Sequence, residues 1–130
     1  MQALGKHVLL DLRDCARVLD DLEFLREALR SAARQSSTDI LGESFHHFSP
    51  QGVSGVVLGT GSHICIHTWP EYGYAAVDIY ACNDSFSSKK AAELLIKKLR
   101  AKESSITEVE REERLARGML KQRGSQGIEP

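Results

Sequence analysis

The sequence lacks the long apolar runs, the charge excess and the paired cysteines that mark several classes of protein. None of its apolar runs approaches the roughly 18 residues that a membrane-spanning helix needs. The formal net charge is −1, so electrostatics gives no reason to expect a nucleic acid or an anionic membrane as a partner. The three cysteines, Cys15, Cys65 and Cys82, form no CxxC pair and no zinc-ligand spacing. Their odd number is typical of free thiols, and we expect no metal site.

A secretory signal is also missing from the start of the sequence. The apolar run Val8-Leu9-Leu10 is too short for the core of a signal peptide, and no small-residue cleavage site follows it. We therefore expect a cytoplasmic location. With 130 residues, 42% hydrophobic and 27% charged, the chain is long enough for one globular domain and too short for two ordinary ones. We expect a single domain over 1–130, with a frayed tail at 124–130.

The hydrophobic pattern predicts an α+β fold, a two-layer sandwich in which a mainly antiparallel sheet carries two helices on one face. Residues at intervals of three and four predict amphipathic helices over 15–33, with Asp14 as the N-cap, and over 89–99. Alternating residues predict six strands, at 5–12, 39–49, 53–60, 63–68, 74–81 and 105–111. Two helices on one face form the natural two-layer packing. The other face is then exposed or covered by a partner, which favours a homodimer.

The dipeptide Gly61-Ser62, five residues before His67, has the elements of a self-cleaving bond. A serine hydroxyl can attack the preceding carbonyl to form an ester, and a base can then remove the serine Cα proton. β-Elimination breaks the chain, and hydrolysis of the resulting dehydroalanine leaves a pyruvoyl group and ammonia. Glycine leaves the attacked carbonyl open and permits strained backbone, and imidazole titrates near neutral pH. Because Gly-Ser dipeptides occur in many ordinary turns, the surrounding residues decide the interpretation.

A pyruvoyl group has a defined use in the chemistry of amino acids. Loss of CO₂ from an amino acid leaves a carbanion at Cα, which needs an electron sink. The α-keto carbonyl of a pyruvoyl group condenses with the substrate amine and supplies that sink, in place of pyridoxal phosphate. A cleaved Gly61-Ser62 bond would therefore indicate a decarboxylase that makes its own cofactor.

The residues around this bond resemble the short bacterial and archaeal S-adenosylmethionine decarboxylase proenzymes. The resemblance covers about residues 4–111 and is most specific between His46 and Asp78. The segments that carry it are LGKH at 4–7, HHFSP at 46–50, GVSGVV at 52–57, SH at 62–63, IHTWPEYGYAAVD at 66–78 and TEV at 107–109, together with Asp11, Cys15 and Cys82. This family has a two-layer α+β fold, with its site close to a dimer interface, and requires neither a metal nor pyridoxal phosphate.

The resemblance implies catalytic roles for three residues. Ser62 corresponds to the serine that becomes the pyruvoyl cofactor, so cleavage after Gly61 would give the fragments 1–61 and 62–130. His67 corresponds to the histidine that assists processing. Cys82 corresponds to the cysteine that reprotonates the substrate carbanion after CO₂ leaves. The expected assembly is a homodimer of cleaved protomers that acts on a small molecule.

The resemblance also implies a substrate pocket. Phe48, Trp69 and Glu71 match family positions in or near it, where aromatic faces can stack on adenine and a carboxylate can accept hydrogen bonds from ribose hydroxyls. Without the resemblance, Phe48 and Trp69 are better explained as residues that fill the core. Of the remaining cysteines, Cys15 and Cys65 are interpreted as packing residues.

Two departures from the family pattern leave alternatives for the function. The residue before the cleaved serine is usually glutamate and is Gly61 here. The cysteine usually stands between threonine and glycine, whereas Ala81 and Asn83 flank Cys82 here. The main hypothesis is a decarboxylase of S-adenosylmethionine that serves spermidine and polyamine synthesis. The alternatives are a pyruvoyl-dependent decarboxylase of another amino acid, ornithine or arginine, and an unprocessed, non-catalytic paralogue.

Overall fold

The fold is a six-stranded sheet with two α-helices on one face, as the sequence predicts. The computed structural model describes residues 3–36, 38–82 and 86–115, and its strands pair antiparallel in the order β2-β3-β4-β5-β1-β6. The elements are β1 (Gly5–Arg13), α1 (Leu22–Gln35), β2 (Ile40–His47), β3 (Val53–Gly59), β4 (Ser62–Trp69), a 3-10 turn (Pro70–Tyr72), β5 (Tyr74–Ala81), α2 (Ser88–Leu99) and β6 (Glu103–Arg111). Neither helix in this described part of the chain is long and apolar enough to cross a membrane.

The core lies between the helices and one face of the sheet, here called the inner face. Alternate strand residues are fully buried there, among them Leu10, Ile64, Ile66, Val77 and Ile79. They pack against the buried residues of the two helices, which include Leu25, Leu29, Leu95 and Leu99. The opposite, outer face is covered by no described element of the chain. Its side chains include Leu9, Asp11, Ser54, Leu58, His63, Cys65, His67, Trp69, Asp78 and Tyr80.

The prediction that the first helix begins at Cys15 with Asp14 as its N-cap is wrong. Asp14 has a φ of 53°, in the left-handed region, whereas an N-cap residue is extended. The N–H of Cys15 donates to the carbonyl of Gly73 at 3.0 Å, so this segment is held against another loop. Helix α1 begins at Leu22, and its N-cap is Asp21, whose carboxylate accepts from the N–H of Phe24 at 3.0 Å.

The other predicted boundaries are confirmed to within two residues. Strand β5 matches its predicted range, and β4 extends the predicted strand by one residue at each end. Strand β6 begins two residues earlier than predicted and is exposed along its whole length. The predicted tail at 124–130 and the family departure at Asn83 lie outside the described residues.

Thr68 ties β4 to β3 and to the loop before α1, on the buried side of the sheet. Its Oγ1 donates to the carbonyl of Leu19 at 2.7 Å and accepts from the N–H of Val53 at 2.9 Å. The change Thr68→Val keeps the shape of the side chain and leaves both backbone groups without this partner. We expect it to lower the free energy of unfolding by about 1–3 kcal/mol.

Urea unfolding of the uncleaved Ser62→Ala chain measures this change on a single polypeptide. The control is Thr107→Val, the same substitution on the exposed strand β6, which we expect to change the free energy of unfolding by less than about 0.5 kcal/mol. Equal stabilities of the two variants would show that the Thr68 hydrogen bonds contribute nothing.

Candidate active site

The bond predicted to cleave lies beside a two-residue turn. Thr60 and Gly61 connect β3 to β4, since Gly59 and Ser62 pair across the hairpin. Gly61 has a φ of 72°, a conformation that glycine adopts without the steric cost that a Cβ brings. The turn therefore presents the Gly61 carbonyl at one end of the sheet, immediately before the first residue of β4.

Ser62 directs its side chain to the inner face and is only 5% exposed. Its Oγ donates a hydrogen bond to Oγ1 of Thr38 at 3.2 Å. Because a buried hydroxyl is costly to leave unpaired, this contact helps to fix where the serine oxygen lies. The candidate nucleophile is thus shielded from water and adjacent in sequence to the carbonyl that it would attack.

Cys82 directs two donors at that same carbonyl. Its backbone N–H donates to the oxygen of Gly61 at 2.8 Å, and its Sγ lies 3.2 Å from this oxygen as a second donor. Cys82 comes directly after β5, the strand that pairs with β4, so the sheet register brings the two residues together. Donors aimed at a carbonyl oxygen stabilise negative charge that develops on it. Gly61, Ser62 and Cys82 are here called the cleavage cluster.

The other four predicted site residues lie at the opposite end of β4 and are here called the distal cluster: Phe48, His67, Trp69 and Glu71. His67 is exposed on the outer face, with its Nδ1 2.7 Å from Oγ of Ser54. Trp69 ends β4, is 39% exposed and lies with its ring 5.3 Å from that of Tyr74. Glu71 is exposed in the turn that follows.

Phe48 completes this cluster from the loop between β2 and β3. Its side chain is 48% exposed, and its ring contacts that of His46 edge-on at 4.5 Å. Neither Phe48 nor Trp69 is a core residue, which removes the alternative explanation for both. Both side chains are partly exposed, and each ring also contacts a neighbouring ring.

A single chain does not bring the two clusters together. Ser62 and His67 are five residues apart on β4, which is about 17 Å at 3.4 Å per residue. Because the separation is odd, their side chains also point to opposite faces of the sheet. A cavity of about 300 Å³ beside His67 is lined by Ser44, Phe45, His46, Ser54, Val56 and Cys65, and it contains no member of the cleavage cluster.

Two residues near the site are not among those that the sequence predicts. Ser54 lies within the GVSGVV segment, but nothing in that segment indicates a contact with His67. The contact follows from the pairing of β3 with β4, which sets the two residues opposite each other. Thr38 contacts Ser62 from the loop before β2. No local pattern marks a loop threonine as the neighbour of a residue 24 positions away.

The other two cysteines are poor nucleophiles at neutral pH. Burial, with the charge of Asp14, raises the pKa of Cys15 to about 11. Burial, with the charge of Asp78, also raises the pKa of Cys65 above its ordinary value of 9.0. Both thiols therefore stay protonated. Cys15 packs against the hydrophobic core, as predicted, whereas Cys65 lies on the outer face and lines the cavity beside His67. In residues 3–36, 38–82 and 86–115, no group of three or more His, Cys, Asp or Glu side chains could hold a metal ion.

Most of the sequence, including the residues of both clusters, matches known proteins. Residues 6–112 match the S-adenosylmethionine decarboxylase family. The chain belongs to this family. The predicted resemblance is therefore confirmed, and the family match spans β1 to β6.

Individual family members resemble the chain at similar levels. The S-adenosylmethionine decarboxylase proenzyme of Thermodesulfovibrio yellowstonii is 43% identical over 112 residues, which cover 85% of this chain and 83% of that protein. The proenzyme of Thermotoga maritima is 44% identical over 85% of this chain and 86% of its own length. The crystal structure of the adenosylmethionine decarboxylase of Aquifex aeolicus superposes with a TM-score of 0.80 at 35% identity, covering 86% of this chain and 93% of that one.

Proposed function

We propose that the chain is a self-processing, pyruvoyl-dependent decarboxylase of S-adenosylmethionine, which supplies the decarboxylated product for spermidine and polyamine synthesis. The observation that carries this proposal is the cleavage cluster. A buried hydroxyl, that of Ser62, directly follows a carbonyl on which two donors of Cys82 converge. The relatives that match most of the chain bear the name S-adenosylmethionine decarboxylase proenzyme.

Processing begins with an N-to-O acyl shift. Oγ of Ser62 bonds to the carbonyl carbon of Gly61, and the N–H and thiol of Cys82 stabilise the negative charge on the carbonyl oxygen. The C–N bond then breaks, and the serine proton ends on the freed nitrogen, so an amide has become an ester. Removal of the Ser62 Cα proton expels the Gly61 carboxylate and leaves dehydroalanine. Reaction with water releases ammonia and leaves the pyruvoyl group at the start of the fragment 62–130.

The base for the elimination would come from a second copy of the chain. The two clusters lie at opposite ends of β4, so a two-fold-related copy with its strands reversed would set its distal cluster against the cleavage cluster of the first. Such an isologous contact generates two equivalent sites. The outer face suits this contact because it carries exposed apolar side chains, including Leu9, Leu58 and Val109. The partner's His67 would then remove the Cα proton of Ser62.

The same arrangement would build the substrate pocket from two chains. The pyruvoyl carbonyl supplies the electron sink for loss of CO₂. Cys82 is exposed beside it and would return a proton to the substrate carbon. Phe48 and Trp69 of the partner would stack on the adenine ring. Glu71 of the partner would accept hydrogen bonds from the ribose hydroxyls. Because Gly61 stands where the family usually has a glutamate, Glu71 would be the carboxylate that the predicted site residues supply.

The mass of the purified protein tests this proposal. We expect two fragments, 1–61 and 62–130, of which the second has a pyruvoyl group in place of its N-terminal amine. The Ser62→Ala variant should remain one intact, folded chain and release no CO₂, because it lacks the nucleophile. A wild-type protein that stays uncleaved after long incubation would overturn the proposal.

Release of CO₂ from carboxyl-labelled S-adenosylmethionine, ornithine and arginine then identifies the substrate. We expect release from S-adenosylmethionine alone. Release only from ornithine or arginine by the cleaved protein would retain the processing chemistry and reassign the substrate to a basic amino acid.

A further inference from the structure

We infer that Thr38 is a positioning residue that holds the Ser62 hydroxyl ready to attack Gly61, an inference that rests on the self-cleavage proposed above. The Oγ of Ser62 donates to Oγ1 of Thr38 at 3.2 Å. Since Ser62 is almost fully buried, little water competes for its proton. The hydrogen bond therefore selects one orientation of the hydroxyl group.

Thr38 is itself fixed to the turn that precedes the scissile bond. Its Oγ1 lies 3.4 Å from the carbonyl oxygen of Thr60 and 3.5 Å from that of Asp39, and it can donate its one proton to either. The N–H of Thr60 donates to the carbonyl of Asp39 at 3.2 Å, and the N–H of Thr38 donates to the carbonyl of Ala33 at 3.2 Å. The loop before β2 and the β3–β4 turn are therefore bonded to each other. The distance from Thr38 to the reacting groups does not depend on a flexible side chain alone.

Gly59 provides the space for this contact. A Cβ built on Gly59 would lie 2.3 Å from Oγ1 of Thr38 and 3.0 Å from Oγ of Ser62. The first distance is shorter than any real Cβ contact, so a side chain at position 59 would have to displace Thr38. The absence of a side chain at Gly59 and the hydroxyl of Thr38 are thus parts of one arrangement around the Ser62 oxygen.

The chemical consequence is a bias in the orientation of the nucleophile. A serine side chain has three staggered rotamers, and a hydrogen bond to Thr38 restricts the choice. With its proton directed at Thr38, the serine oxygen keeps a lone pair free for the Gly61 carbonyl carbon. Thr38 is not the final proton acceptor, because the acyl shift delivers the serine proton to the freed nitrogen of Ser62. Loss of one neutral hydrogen bond is expected to slow cleavage by about tenfold.

The rate of cleavage of the full chain, followed from cell-free synthesis on denaturing gels, tests this role. We expect Thr38→Val, which keeps the shape and removes the hydroxyl, to cleave about tenfold more slowly than wild type. Thr38→Ser, which restores the hydroxyl, should recover most of the rate. Gly59→Ala should also slow cleavage, and Thr107→Val on β6 should not.

Melting temperatures in the Ser62→Ala background separate positioning from folding, and we expect Thr38→Val to stay folded with at most the small decrease that loss of its long contacts with Thr60 and Asp39 implies. If valine lowers the melting temperature further, Thr38→Ala replaces valine in the comparison with serine. The role of Thr38 would be overturned if the folded variant without a hydroxyl cleaved at the wild-type rate, or if Thr38→Ser cleaved no faster than that variant. Either result would leave the proposed function standing. Absence of cleavage in the wild-type chain would overturn this role and the proposed function together.

Discussion

A mixture of Ser62→Ala and His67→Ala chains is expected to cleave, although neither variant cleaves alone. The Ser62→Ala chain lacks the nucleophile and keeps His67, while the His67→Ala chain has the reverse defect. In the proposed dimer, the His67 of one chain serves the Ser62 of the other, because β4 separates these residues by about 17 Å within a chain. Only mixed dimers contain a complete site, and in each of them the His67→Ala chain is the one that breaks.

Random association of equal amounts would give about half of the His67→Ala chains a complementary partner in a two-fold dimer. Co-expression with two different tags, followed by mass spectrometry of each chain, measures this fraction. The control pairs His67→Ala with a chain that carries both substitutions, which restores no histidine. If mixed dimers are recovered and remain uncleaved, the base does not come from the partner.

The His67→Ala chain alone provides a second measurement. Without the elimination base it should stop at the ester, and hydroxylamine should then split it at Ser62. A His67→Ala chain that processes normally, or one that hydroxylamine does not cleave, would remove His67 from the elimination step.

Substitution of Cys82 is expected to separate processing from turnover. In Cys82→Ala the backbone N–H still donates to the Gly61 carbonyl, and only the weaker thiol donor is lost. Cleavage should therefore slow by about tenfold, less than the 100-fold or more that a strong oxyanion donor is worth. Release of CO₂ per cleaved chain should fall by at least about 100-fold, because the acid that returns the proton is gone.

Cys82→Ser makes the distinction sharper. A serine hydroxyl can donate to the same carbonyl, so processing should return close to the wild-type rate, whereas turnover should stay low because a hydroxyl is a much weaker acid than a thiol. The control Cys15→Ala removes a thiol that belongs to neither cluster and should leave both rates unchanged. Normal turnover of fully cleaved Cys82→Ala would exclude the thiol as the proton donor.

Features that depend on neighbouring residues could be predicted from the sequence, whereas features that depend on contacts between distant residues could not. The boundaries of β5 were predictable because alternation of buried and exposed residues is a local property. The start of α1 was not, since Asp14 and Asp21 are both chemically suitable N-caps. Cys15 lies in the non-helical segment before Asp21. Its N–H bonds to the carbonyl of Gly73, 58 residues further along the chain, and a local pattern does not show such a contact.

The same distinction applies to the site. The residue types at 61, 62 and 82 indicate their chemistry, but only the β4–β5 register brings the Cys82 donors to the Gly61 carbonyl. The position of His67 on the other face follows from the odd spacing along a strand. The contact of Thr38 with Ser62 depends on how a loop packs against a turn, and no periodicity encodes it.

The strand order has a consequence for the product of the proposed cleavage. Cleavage at Ser62 would divide the sheet so that β1, β2 and β3 belong to one fragment and β4, β5 and β6 to the other. Strand β1 lies between β5 and β6, and β3 pairs with β4, so the fragments are interleaved and three strand pairings hold them together. The mature subunit would thus be a heterodimer whose two fragments folded together as one polypeptide. Once unfolded, its halves must find each other by diffusion, so recovery of the fold becomes dependent on concentration.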